Sequence, residues 1–161
     1  LEIDQDRQGV PGSPDLAKII LEKIKNSGAF VADVTPVGKV KLQAKGAKAK
    51  ALMNSNVAIE LGFAMETVTA LRLLMVLNKH FGSRDDLPFD LKHKAGPIEY
   101  RLSPEASKDE ISAEQKLLAS KFKTALRGIF SAGAIAAVVV AFTPQQQAVE
   151  IRRDSLMLMR S

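Results

Sequence analysis

Apolar residues recur along this chain with the helical and the strand period in turn. Leu16, Ile19, Ile20 and Ile24 form one helical face broken only by Lys23. Ser13 is placed to cap that helix, Pro14 to occupy its first position and Asp15 to complement its dipole, and Asn26-Ser27-Gly28 ends it. Ala29 to Val34 follows as a short apolar strand of the kind buried on both faces, ending in the polar group Asp33 and Thr35-Pro36. A second helix is predicted from Asn54 or Ser55, with Val57, Leu61, Ala64, Met65 and Val68 at helical spacing. Arg72 to Leu77 is the next buried strand and ends at Asn78. Leu87 to Leu91 reads as a short anchored turn, and Ile98 to Leu102 as a strand near a sheet edge. Ser107 with Glu110 forms a capping box at the head of a long helix that carries Ile111, Leu118, Phe122 and Ala125 to about Arg127.

Leu1 to Ile3 reads as the tail of a strand, followed by a polar turn from Asp4 to Gly12. The lysine-rich stretch from Gly38 to Lys50 shows no period and is predicted to be a loop. Ala134 to Phe142 fits a strand or a buried helix equally, and Ala148 to Arg160 a terminal helix beyond the break at Thr143-Pro144. Strand and helix alternating at this spacing predict an α/β fold, a three-layer flavodoxin-like parallel sheet with helices on both faces and a C-terminal helical segment. The expected organisation is one domain over residues 1–127, followed by residues 128–161 as an apolar segment and helix for packing or an oligomer interface.

Composition narrows the chemistry. The 161 residues suffice for a single core. No cysteine is present, which removes disulfides, thiol catalysis and thiolate metal sites within this chain, and two scattered histidines do not make a zinc site. No metal is therefore expected. The net charge of +5 would suit nucleic acid, but five lysines lie in the single run from Lys39 to Lys50, and one tyrosine with no tryptophan offers little base stacking. Nucleic acid is not the expected partner. The charge-free run from Gly128 to Phe142 is shorter than the roughly twenty residues a membrane helix requires. With no signal peptide at Leu1-Glu2-Ile3-Asp4, no membrane partner and a cytoplasmic location are expected.

The carboxyl ends of parallel strands face the ligand crevice in open α/β sheets. That rule gathers the turn at Asp4 to Gly12, Asp33 with Thr35, Asn54 with Glu60, and Asn78. Glu60 stands three residues after Val57 and four before Ala64, on the rim of an apolar helix face. Spacing alone leaves it either a rim glutamate or a site residue. The absence of a serine elbow, of paired histidines and of a G-x-x-x-x-G-K-[ST] loop excludes triad acyl transfer and ordinary P-loop chemistry. Gly9-Val10-Pro11-Gly12 before a helix start is either a plain turn or a phosphate-facing one. One cleft carboxylate with amides beside it suits N-glycosidic bond cleavage, whose oxocarbenium-like transition state a carboxylate can stabilise or capture.

Three blocks carry a family resemblance: Asp6-Arg7-Gln8-Gly9-Val10-Pro11-Gly12, Phe30-Val31-Ala32-Asp33-Val34-Thr35, and Asn54-Ser55-Asn56-Val57-Ala58-Ile59-Glu60-Leu61-Gly62. Together they resemble a bacterial TIR-like domain of the predicted nucleotide-binding subset linked to antiphage signalling. Leu87-Pro88-Phe89-Asp90-Leu91 before Tyr100 is similar to the same subset, and the strand-Asp and Glu-Leu-Gly pattern is similar to nucleoside 2-deoxyribosyltransferases. The likeness spans about residues 1–102. It implies Glu60 as the catalytic glutamate, Asp33 and Asn54 as groups that orient the sugar, Thr35 and Asn56 beside them, and Arg7 in a BB-type loop bordering the cleft. It also implies a nucleotide such as NAD as substrate or ligand, no further cofactor, and a homo-oligomer. Two departures accompany it: the first strand of that family would precede Leu1, and Asn56-Val57 replaces an aromatic-plus-cysteine pair. The activities implied are NAD N-glycosidic cleavage, or nucleoside deoxyribosyl transfer; a non-catalytic module for nucleotide binding or self-assembly is the third expectation.

Overall fold

The computed structural model describes residues 2–4, 15–41, 49–130 and 137–141. The turn with Arg7, the centre of the lysine run and the expected terminal helix at 148–160 lie outside them. Five parallel strands form the main sheet: β1 (Glu2–Asp4), β2 (Ala29–Asp33), β5 (Leu73–Asn78), β6 (Ile98–Tyr100) and β7 (Ala137–Ala141). Their spatial order is β1-β7-β2-β5-β6. The flavodoxin-like order is 2-1-3-4-5. The same arrangement appears here with the place of that fold's first strand taken by β7, which pairs with β1 on one side and β2 on the other. The boundary expected at residue 127 thus falls inside a helix that leads into the sheet, and residues 137–141 are a strand of that sheet.

The alternation of β2 divides the core into two layers. Ala29 and Val31 face one layer, with Val76, Tyr100, Leu102 and the seam Leu118, Phe122, Leu126 and Ile129 of α4 (Lys108–Phe130). Phe30, Ala32 and Val34 face the other, against Ile24 of α1 (Leu16–Asn26) and Val57, Leu61, Ala64 and Val68 of α2 (Ser55–Thr67). Period two on the strand and period 3.6 on the helices produce this three-layer packing without further instruction. Fully burying a side chain such as Phe122 contributes about 1.5–3 kcal/mol from apolar area alone.

Local chemistry sets the helix starts, with one expected cap revised, at α1, and one chosen between two candidates, at α2. Asp15 caps α1, its Oδ1 accepting from the N–H groups of Ala17 (3.1 Å) and Lys18 (3.3 Å). Asn54, rather than Ser55, caps α2 by accepting from Asn56 N–H (2.9 Å) and Val57 N–H (3.2 Å). Met65, expected on the apolar stripe, is 38% exposed at its edge. The Ser107–Glu110 box forms reciprocally, at 2.8 Å for Ser107 N–H and 3.3 Å for Glu110 N–H. Hydrogen bonds to Ser107 hold the Glu110 carboxyl below its usual pKa.

The ends of the lysine run are a hairpin rather than loop. β3 (Gly38–Val40) pairs antiparallel with β4 (Lys50–Leu52), and Val37 N–H extends the ladder to Leu52 O at 2.8 Å. Both strands lie largely exposed, so no buried face imposes an apolar alternation on their sequence. The turn expected at 87–91 contains a four-residue helix, α3 (Phe89–Lys92). β6 is an edge strand, as its composition predicts.

Candidate functional site

Parallel packing runs each helix back against its strand, so the starts of α1 and α2 and the ends of β2, β5 and β6 share one edge of the sheet. Two sets of polar residues stand on this edge. The first begins at Asp33, whose Oδ1 accepts from Thr35 N–H at 3.1 Å. Thr35 Oγ1 accepts from Asn78 N–H at 2.9 Å, tying the end of β2 to the end of β5. The Asn78 amide then reaches past β6: its Nδ2 donates to Leu102 O at 2.9 Å, and its Oδ1 accepts from Leu102 N–H (3.1 Å) and His80 N–H (3.0 Å). Asp33 and Asn78 are 0% exposed, and Thr35 and Tyr100 are buried beside them. Burial pushes the Tyr100 phenol well above its ordinary pKa, against a smaller opposing hydrogen bond from Asn78. Polar groups in this setting are retained when hydrogen-bonded, and here they splice three strand ends to the loops that follow.

A close loop approach extends the same edge. At Gly82 a Cβ would lie 2.7 Å from Pro36 Cγ, so glycine lets the loop after β5 pack on the loop after β2. The Ser83 N–H holds the Asp86 carboxylate below its usual pKa, with smaller help from the charges of Lys39 and Lys92.

The second set lines a groove of about 290 Å³ between α1 and α2, bounded by Ala17, Ile20, Leu21, Asn56, Ile59 and Glu60. Asn56 and Glu60 are four apart on α2 and therefore neighbours on one helix face. Glu60 is half-buried, while Ile59 next to it is 65% exposed. Among the expected site residues, then, the groove brings together Glu60 and Asn56. Asp33 and Thr35 belong to the buried network, Asn54 Oδ1 serves as the helix cap, and Arg7 lies outside the described residues. Ala17, Ile20 and Leu21 were not expected in a site; the sequence assigns them to a helix and its core stripe, and only the packing of α1 on α2 exposes their groove-facing side.

Among the described residues no group of His, Cys, Asp and Glu could hold a metal ion. No helix among them is long and apolar enough to cross a membrane. The edge thus defines a class: a flavodoxin-like α/β protein with one carboxylate and one amide on an apolar groove at the carboxyl edge of its sheet. Comparison with known proteins gives no matching family model, no matching curated protein and no matching solved structure.

Proposed function

We propose that this chain is a TIR-like nucleotide-binding domain that cleaves the nicotinamide–ribose bond of NAD. The observation that carries the reading is Glu60 on the wall of the α1–α2 groove, with Asn56 four residues before it. As the C1′–N bond breaks, its electron pair leaves with nicotinamide and the ribose acquires oxocarbenium character. The Glu60 carboxylate stabilises or captures that cation, and water then attacks C1′, losing a proton to give ADP-ribose. Ile20 and Ile59 supply apolar walls beside the carboxylate. Asn56 is suited to a ribose hydroxyl, since its amide both donates and accepts. The same reading carries a cytoplasmic, homo-oligomeric protein acting in antiphage signalling.

The test follows nicotinamide release from NAD by the protein and by Glu60→Gln. Release that depends on Glu60 supports the reading; equal release by both removes the role of Glu60. A second reading is a module that binds nucleotide or further copies of itself without chemistry, and the exposed Ile59 beside the carboxylate favours it. It predicts NAD binding or self-association that survives Glu60→Gln, with no nicotinamide formed. Base exchange on deoxynucleosides with indifference to NAD would instead identify a deoxyribosyl transferase.

A further inference from the structure

A second cavity lies at the opposite, amino edge of the sheet. Met65 and Val68 from the last turn of α2, Ala70 after it, Leu73 and Met75 of β5, and Lys94 and Ala95 before β6 enclose about 260 Å³. Six of these residues supply an apolar wall, two of them methionines whose flexible thioethers adapt to a guest. The volume is close to the lower bound of small-molecule sites, about 300 Å³. Lys94 is the one charged residue of the lining, and no acidic residue joins it there among the described residues. An ion pair joins Lys79 to Glu99 and does not involve Lys94.

The segment carrying Lys94 is held in place. The Arg84 guanidinium donates to Lys92 O through Nε (3.2 Å) and Nη2 (2.8 Å), and Nη2 also donates to Lys94 O at 2.8 Å. A Cβ at Gly96 would come within 2.9 Å of Arg84 Nη1, so glycine lets the guanidinium pack close on this stretch. Arg84 therefore fixes the backbone that carries Lys94. An apolar cavity with a single lysine on its wall complements a small amphiphile with one negative charge.

We infer that the cavity between the end of α2, β5 and Lys94 binds an apolar monoanion of the aliphatic carboxylate class. The apolar body lies against Met65, Val68 and Met75, and the carboxylate is directed to the Lys94 side. The site is separate from the Glu60 groove and does not depend on how that groove is read.

The experiment titrates the full chain, labelled at its methionine methyl groups, with octanoate, and with octanol and octylamine as neutral and cationic analogues. The Met65 and Met75 methyl resonances should move with octanoate while Met53, at the other edge, stays in place and reports the fold. Octanol should bind more weakly and octylamine weakest. Lys94→Met should lower octanoate affinity about fivefold, the scale of one partly exposed charge interaction, and leave octanol unchanged. Ala95→Trp should block all three. Unmoved Met65 and Met75 resonances, octylamine binding as tightly as octanoate, or octanoate binding unaltered in Lys94→Met would each overturn the inference.

Discussion

Asp33, Thr35 and Asn78 on one side and Asn56 and Glu60 on the other are chemically alike and share one edge of the sheet, yet they are used differently. The first three are sealed from solvent, and their hydrogen bonds join β2, β5 and the chain beyond β6. The second pair lines an open groove walled by apolar side chains. Residue type and strand-end position therefore do not separate a splice from a site. What separates them is where each side chain lies, sealed among strand ends or on the wall of a groove. In this protein the buried carboxylate, hydroxyl and amide hold loops in place, and the groove residues are the ones that line open space.

The comparison breaks most sharply on activity. Glu60→Gln keeps size and helix propensity but removes the charge, so kcat for nicotinamide release should fall about 10²–10³-fold, the range found when one transition-state charge contact is lost. Its thermal midpoint should stay near that of the wild type. Asn78→Leu should do the reverse. It strands Leu102 N–H, Leu102 O and His80 N–H, costing about 3 kcal/mol in denaturant unfolding, while activity per folded molecule is retained. Asp33→Ala should follow the same pattern on a smaller scale, about 1–3 kcal/mol, because Thr35 N–H loses its acceptor. If Asp33→Asn, which keeps an acceptor oxygen, lowered kcat without changing stability, Asp33 would have to move from the splice to the site.

Smaller effects sharpen the helix starts. Asn54→Ala should cost about 1 kcal/mol through the lost cap of α2, measured by urea unfolding. The capping box of α4 gives a pH signature. The folded-state pKa of Glu110 is depressed, so its contribution is present above the ordinary value of 4.5 and is lost as pH falls through the lower folded value. Glu110→Gln should flatten that acid limb of the stability profile.

Much of the layered core could be read from the chain because its signals are local. Ala29 and Val31 in one parity and Phe30, Ala32 and Val34 in the other are apolar, and both parities find a helical layer. The Ser107–Glu110 spacing is a box because the helix geometry makes it one. The β3–β4 hairpin was not legible, since two largely exposed strands leave no alternation to detect. The apolar run from Ala134 to Phe142 suits strand or helix by its sequence; the insertion of β7 between β1 and β2 is a property of the sheet. Helical spacing places Glu60 on an apolar rim and leaves its use open. Asn54 is one of the two capping positions that the sequence offers, and the structure selects it; the place of Asp33 in the splice is not legible, because it depends on which backbone N–H falls within reach of its oxygen.

The most direct test of the central claim is nicotinamide release from NAD, measured side by side for the wild-type protein, Glu60→Gln and Asn78→Leu, each normalised to its folded fraction. With Glu60 as the catalytic carboxylate, the wild type should release nicotinamide, Glu60→Gln should lose about 10²-fold or more, and Asn78→Leu should keep near wild-type release per folded molecule. Equal release by the wild type and Glu60→Gln, or no release by the wild type when assembled, would contradict that role.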